Sequence, residues 1–191
     1  MAGRPFLRAL AAALVVSLAT FTGALAGSAA DPGVTSTTVL LGGTSPLTGP
    51  AAAYASVARG AKAYFDSVNA KGGVSRRKFQ YKILDDAYNP AQTIQATRQL
   101  VEQDKVFAIF NALGTEHNLA IRDFLNAAKV PQLFAATGAR TFGAEYRRYP
   151  WTIGYQPSYL GEARIWGRCF PTASSRRRRS RAAPRSSTAS S

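Results

Sequence analysis

Three kinds of side chain in this sequence could do chemistry, and their spacing narrows what that chemistry is. Asp85 and Asp86 are adjacent carboxylates, as a metal site or an acid–base couple would need. His117 is the single histidine and Cys169 the single cysteine. That count excludes an intramolecular disulfide and any metal site built from clustered Cys or His within one chain. It leaves a Ser-His-Asp arrangement with one candidate base. The third kind is hydroxyl residues set among small neighbours: Ser45, Leu113-Gly114-Thr115, and Ala135-Ala136-Thr137. Hydroxyls beside bare backbone N–H groups bind small polar ligands, carboxylates among them, without transforming them.

For the carboxylates and the histidine a structural role is the simpler account. Asp85-Asp86-Ala87-Tyr88 runs into Asn89-Pro90, a good helix cap followed by a good first helical residue. Paired aspartates there tie a turn to a helix end. His117 falls in the first turn of a predicted helix and is expected to face solvent. Tyr81, Tyr88 and Phe110 read as core or cleft lining and not as a stacking platform for RNA. No GxGxxG, P-loop or nucleophile elbow is present. The pattern favours binding over catalysis and implies no cofactor.

The elements that must position these residues follow from hydrophobic periodicity. A first strand, Thr38 to Gly43, leads through a Gly/Pro/Ser/Thr loop into a helix over Ala51 to Ala70. Its predicted inner face is Tyr54, Val57, Ala61, Tyr64, Phe65 and Val68. Lys71-Gly72-Gly73 ends it, since glycine takes the left-handed cap conformation. A second strand covers Phe79 to Asp85. The helix after Asn89 runs to Gln103, with Ala91, Ile94, Thr97 and Val101 inward. A third strand covers Val106 to Phe110, and Thr115 is placed as the cap of a helix over Glu116 to Lys129, with Ile121, Phe124, Leu125 and Ala128 inward. Val130 to Phe134 gives a fourth strand, Trp151 to Gln156 a fifth, and Ser158 to Arg168 the start of another helix. Alternating strands and helices with short loops predict an α/β fold, a parallel sheet with helices on both faces. In such a sheet the ligand sits at the C-terminal strand ends, where the hydroxyl-bearing loops fall.

Composition is uneven along the chain. The formal net charge is +14, which suggests nucleic acid or an acidic surface as a partner. Residues 31–170 are only mildly basic, with sixteen Lys/Arg against ten Asp/Glu; residues 171–191 hold six arginines and no acid. That final stretch has too little apolar content to fold and reads as disordered, Arg/Ser-rich and out of frame. A genuine basic tail binding nucleic acid or an anionic surface is the alternative. At the other end, Arg4 and Arg8 precede an apolar run, and Ala24-Leu25-Ala26 fits a small-x-small cleavage site. Residues 1–26 read as a signal peptide, with cleavage after Ala30 as the alternative. The domain proper is then residues 31–170, exported to the periplasm or another extracytoplasmic space.

In order along the chain, GGTSPLTGPAAAYA, NAKGGV, DDAYNPAQTIQATRQLV, ALGT, VPQLFAATGA and WTIGYQPS resemble the periplasmic solute-binding proteins of branched-chain amino-acid ABC transporters. The resemblance covers about Val39 to Arg168. It implies the N-terminal lobe of a type I clamshell with the second lobe missing after about Cys169. It implies capture of an amino acid or related small carboxylate or amide for a membrane permease, with no nucleic-acid partner. A ligand-sensing receptor domain of the same fold is the runner-up. The resemblance also implies site residues. Tyr54 would line the cleft, and Thr115 would bind the ligand carboxylate by hydroxyl and backbone. The Ala135 carbonyl and Thr137 would grip the α-groups. Gln156 falls where amino-acid binders often keep an aspartate for the ligand ammonium. A neutral amide gives no charge-assisted bond there, which leaves room for acids and amides. A single lobe leaves its ligand exposed to water, so this chain is expected to bind weakly. N-terminal sequencing of the chain secreted by an exporting host is expected to begin at Gly27; an unprocessed Met1 would contradict the signal reading.

Overall fold

The computed structural model describes residues 31–169, so the signal-like segment and the Arg-rich tail lie outside the described residues. Five strands form one sheet: β1 (Thr38–Ser45), β2 (Lys78–Asp85), β3 (Ala108–Phe110), β4 (Gln132–Ala135) and β5 (Thr152–Gly154). Their order is β2-β1-β3-β4-β5 and every pairing is parallel. The connecting helices are α1 (Ala55–Ala70), α2 (Pro90–Arg98), α3 (Thr115–Ala127), the short α4 (Thr141–Ala144) and α5 (Tyr159–Cys169). Parallel strands need crossovers, and helices supply them. From β1 the chain steps to β2 on one side and then to β3 on the other. The reversal opens a crevice beyond the C-terminal ends of β1 and β3, where ligands sit in such sheets.

Both faces of the sheet are covered. On one, Leu100, Val106, Ile109, Ala112, Ile121 and Leu125 form a buried cluster against Leu40 and Leu84. On the other, Leu41, Phe65 and Ala108 pack with Val39, Phe79, Tyr81 and Phe110. Alternate residues of β1 therefore point to opposite clusters, as the pleat requires. The predicted α/β class with helices on both faces is what the structure has. So are the Asn89 cap, whose side chain accepts from the Ala91 N–H at 2.9 Å, and the glycine-ended first helix. Tyr81 and Phe110 lie in the core region, their rings edge-on at 5.8 Å, and Tyr81 donates to the Phe110 carbonyl at 3.0 Å.

The buried faces of the helices differ from the periodicity reading. α1 approaches the sheet through Ala55, Ala58 and Phe65, while Tyr54 and Tyr64 are 59% and 69% exposed. Small residues permit the close approach, and the tyrosines fall on its flanks. α2 buries Thr93, Ala96 and Thr97, and Ala91 and Ile94 are exposed. The reason is polar: Thr93 Oγ1 donates to the buried Asp86 carboxylate at 2.9 Å, which fixes the rotation of the helix. Past Arg98 a wider π-helical turn, Gln99–Gln103, brings Leu100 inward where Val101 was expected. The strand at Val130 starts two residues later, at Gln132, and carries an irregularity at Phe134, whose φ of 55° breaks the register. β3 and β5 are shorter than expected, and Ala128 is exposed because α3 has ended.

The adjacent aspartates divide the work of holding loops. Asp86 accepts from the Tyr88 N–H at 3.1 Å as well as from Thr93. Asp85 accepts from the N–H groups of Leu47, Thr48 and Ala87, and from the Thr48 hydroxyl, pinning the loop after β1 to the end of β2. Chiefly because of the Thr48 hydroxyl, its carboxyl sits below the usual carboxylate range. A folded-state value below the unfolded one adds stability that is present above the unfolded value and lost as pH falls through the folded one. Asp85→Asn is therefore expected to lower the melting temperature near neutrality. The gap from wild type should close as pH falls through and below the ordinary aspartate range, measured by circular dichroism. A gap constant with pH would assign the loss to geometry instead of charge.

Candidate functional site

The loops after β3 and β4 are stitched into one surface. Leu113 and Ala136 form an isolated parallel bridge. The Gly114 N–H donates to the Ala136 carbonyl at 3.3 Å, and the Ala136 N–H to the Ala112 carbonyl at 2.9 Å. This brings the hydroxyls of Thr115 and Thr137 to 2.6 Å from each other. Thr137 Oγ1 also accepts from the Ala139 N–H at 3.1 Å, and the Ala135 carbonyl accepts from the Thr137 N–H at 2.9 Å.

Thr115 is not the cap of α3, as expected, but its first residue; the cap is Gly114. Gly114 has φ 107°, a conformation that an L side chain rarely adopts, and an added Cβ would lie 2.3 Å from the His117 ring. A glycine cap has no side chain to occupy the first N–H groups of the helix, so these stay available beside the hydroxyl pair. The positive end of the helix macrodipole lies at the same point. Two hydroxyls, uncapped N–H donors and a helix N-terminus suit a carboxylate.

The other expected site residues do not bond to this pair. Ser45 ends β1, buried, and its hydroxyl has no hydrogen-bond partner among the described residues. Its carbonyl accepts from Leu47 and Asp86. Tyr54 is exposed on the turn before α1. Gln156 is exposed and lines, with Thr137, Arg140 and Tyr146, an open cavity of about 690 Å³. Gly138 sits where this cavity meets α5: its carbonyl accepts from the Tyr159 N–H at 2.9 Å, and a Cβ there would lie 2.6 Å from the Tyr159 ring.

Several residues that hold the site were not anticipated. Asn118 is fully buried, and its amide donates to the carbonyls of Ala112 and Gly114, each at 2.7 Å. Its Oδ1 accepts from Gln132 Nε2 at 2.8 Å. Gln132 Oε1 accepts from Thr152 Oγ1 at 3.1 Å, which accepts in turn from Asn126 Nδ2 at 2.8 Å. A directed chain of side chains thus runs from β5 under β4 to the loop carrying Thr115. His117, expected in solvent, is 2% exposed and stacks on Tyr88 with ring centroids 4.3 Å apart. Arg122 is buried, donates to Thr141 and Glu145, and lies 3.6 Å from the centre of the Tyr149 ring. The signal was present: His117, Asn118, Ile121, Arg122 and Leu125 share one helical face, and polar residues on an apolar face are buried for a reason.

A parallel α/β lobe with hydroxyl-bearing loops at its switch point is the architecture in which small ligands are held at strand ends. The family model described as periplasmic binding protein matches residues 38–171, and the chain belongs to that family. It is 36% identical over 87 residues to the Leu/Ile/Val-binding protein BraC3 of Rhizobium johnstonii, an alignment covering 45% of this chain and 24% of the relative. A possible leucine/isoleucine/valine-binding protein from Rhodopirellula baltica superposes with TM-score 0.60 at 29% identity, over 66% of this chain and 34% of that one. A solute-binding protein of an ABC transporter from Rhodopseudomonas palustris, solved with 3,4-dihydroxybenzoic acid, gives TM-score 0.52 at 25% identity, over 63% and 32%. The chain thus spans about a quarter of the length of the curated relative. The fold is that of the type I periplasmic binding proteins, a family of transport binding proteins that work outside the cytoplasm, and the described residues form part of it.

Asn118→Leu is expected to destabilise the fold by about 2–3 kcal/mol, since it removes the side-chain donors to the Ala112 and Gly114 carbonyls, leaving each only a backbone N–H, and the Oδ1 acceptor of the Gln132 amide. Hydrogen exchange should quicken at Gly114 and Ala136 ahead of the core strands. Uniform quickening across all five strands would show that the network does not act locally.

Proposed function

We propose that this chain contributes the carboxylate-binding surface of an extracytoplasmic receptor that delivers a small solute to an ABC importer. The observation that carries the reading is the Thr115–Thr137 hydroxyl pair at 2.6 Å, set against the glycine-capped start of α3. A carboxylate placed there accepts from the one hydroxyl proton the pair leaves free and from backbone N–H groups at once, and needs no protein cation. In this reading the loops of Leu113-Gly114 and Ala135-Ala136 hold the surface, and Ser45, Tyr54 and Gln156 are further contacts of the solute. No step of bond making is required of any of them, and the reading is non-catalytic.

The comparisons support a small acid and leave its body open. One relative is named for leucine, isoleucine and valine, and one neighbour holds an aromatic acid. Gln156 is neutral, so the rim gives an α-ammonium no charged partner at that position. This supports simple carboxylates alongside amino acids. The partner is a membrane permease, and among the described residues no helix is long and apolar enough to cross a membrane.

The test uses leucine and 3,4-dihydroxybenzoate as probes in ligand-observed NMR, which reads weak binding. Thr115→Ala and Thr137→Ala are each expected to weaken the bound probe about tenfold or more, the worth of one hydrogen bond to a charged group. Unchanged affinity in both variants would remove the carboxylate surface from this place.

A further inference from the structure

We propose that Tyr88 is a specificity-determining wall of the solute site and that His117 is the residue that positions it. The inference rests on the solute-site reading above and narrows it: the solute is a carboxylate whose body offers a flat or apolar face to the Tyr88 ring.

Tyr88 reaches its place through an unusual backbone. Ala87 and Tyr88 are consecutive non-glycine residues in the left-handed region, with φ of 47° and 58°. That conformation is disfavoured for both and persists only where the surroundings enforce it. Here the enforcement is explicit. Asp85 takes the Ala87 N–H at 3.0 Å, Asp86 takes the Tyr88 N–H at 3.1 Å, and the Asn89 N–H donates to the Asp86 carbonyl at 2.8 Å. Three hydrogen bonds hold a strained turn whose product is one aromatic ring, and that ring is not in the core: Tyr88 remains 40% exposed.

His117 supplies the other half of the geometry. Its imidazole lies between the Tyr88 ring, at 4.3 Å and 34°, and Gly114, whose missing side chain leaves room for it. Neither Nδ1 nor Nε2 has a hydrogen-bond partner among the described residues, although His117 is 2% exposed. Unpartnered nitrogens at that depth are costly, and a core filler would be better made from an apolar side chain. What the ring does achieve is a fixed spacer. It links the loop that carries Thr115 to the face of Tyr88, so the aromatic wall and the carboxylate surface hold one distance.

The surroundings fit an aromatic rim. Tyr54 and Tyr159 are 59% and 51% exposed, and both act electrostatically on the Tyr88 phenol. Partial burial first, then the Glu116 carboxylate, push that phenol above the ordinary tyrosine range, so it stays a neutral hydroxyl. Asp86 and Glu116 are the acidic groups acting on it.

His117 is the chain's only histidine, so its imidazole gives a single assigned resonance without mutagenesis. In the full 191-residue chain, Tyr88→Ala should move the His117 ring-proton signals toward free-imidazole positions, and Tyr88→Phe should leave them in place. Unmoved signals in Tyr88→Ala would overturn the positioning claim. Affinity is then measured for benzoate and for acetate. Tyr88→Ala is expected to weaken benzoate about tenfold, the worth of a stacked aromatic contact, while acetate changes by less than about twofold. His117→Ala should lower the benzoate-to-acetate ratio in the same direction, and His117→Phe should restore it. Equal loss of both probes in His117→Ala would assign it a purely structural role and overturn the positioning claim. An unchanged ratio in Tyr88→Ala, with both probes still weakened by Thr115→Ala, would overturn the specificity claim and leave the solute reading standing. If neither probe binds wild type, or Thr115→Ala weakens neither, the solute reading fails and this inference with it.

Discussion

The site depends on one buried amide. Asn118 holds the carbonyls of Ala112 and Gly114 from below, and no other side chain bonds to either of them. Those carbonyls belong to a segment that leaves β3 and must stop being a strand before α3 can begin. A loop in that position carries backbone acceptors into an interior that offers no water, and an acceptor left unpaired there costs more than a hydrogen bond returns. Asn118 gives each a second donor from a single NH₂ group, beside the Ala136 N–H on the Ala112 carbonyl and its own backbone N–H on that of Gly114. Its own oxygen is then satisfied by Gln132, whose oxygen is satisfied by Thr152. Each member polarises the next in a low-dielectric setting, so the chain resists partial breakage. The consequence is positional: the turn at Gly114 is held, the hydroxyl of Thr115 is aimed at Thr137, and the start of α3 has a defined direction.

How much of this was legible in the sequence divides along a physical line. Turn chemistry is local, and it was legible: Asn89-Pro90 starts α2 and Gly72-Gly73 ends α1. The hydroxyl loops could be placed at strand ends for the same reason. Burial is not local. Tyr54 and Tyr64 looked like core because they are large and apolar at helical spacing, yet small Ala55 and Ala58 make the close contact. His117 looked like surface because it is polar and follows Glu116, yet Gly114 leaves a gap that only a ring from the next turn fills. Gln132 sits in a run of apolar residues and was read as part of a strand, which is right, but its partner Asn118 is fourteen positions away. Pairings of that kind depend on which strand lies beside which, and a single sequence does not state that.

Charged residues tell the same story from the other side. The Asp85-Asp86 pair has the look of a metal or acid–base site. In the structure each carboxylate is engaged by N–H and hydroxyl donors. Such donors hold both carboxylates in place, and at Asp85 they lower the affinity for a proton, which is the opposite of what a general acid needs. Arg122 likewise directs its guanidinium into the chain. It binds Thr141 and Glu145 and covers Tyr149, fixing the segment that lines the cavity beside Thr137. Planar stacking and a fork of donors make arginine suited to that work in a way lysine is not.

The remaining question is what such a surface can do with a ligand, and the answer turns on water. Thr115 is half-buried and Tyr54 and Tyr88 are open to solvent, so a carboxylate on the hydroxyl pair keeps part of its hydration shell. Hydrogen bonds made in competition with water return about 1 kcal/mol each, and those to a charged group somewhat more. Helix-terminus electrostatics add at most a comparable amount while the site stays wet. Against this stands the loss of ligand translational and rotational freedom, which is of order 4 kcal/mol or larger. A few exposed bonds barely exceed it. The same bonds become strong when a second surface excludes water, because the local dielectric falls and the desolvated donors have no other partner. The geometry on the described residues therefore supplies direction and selectivity for an acid, and tight capture requires that something close over Thr115, Thr137 and the tyrosine rim.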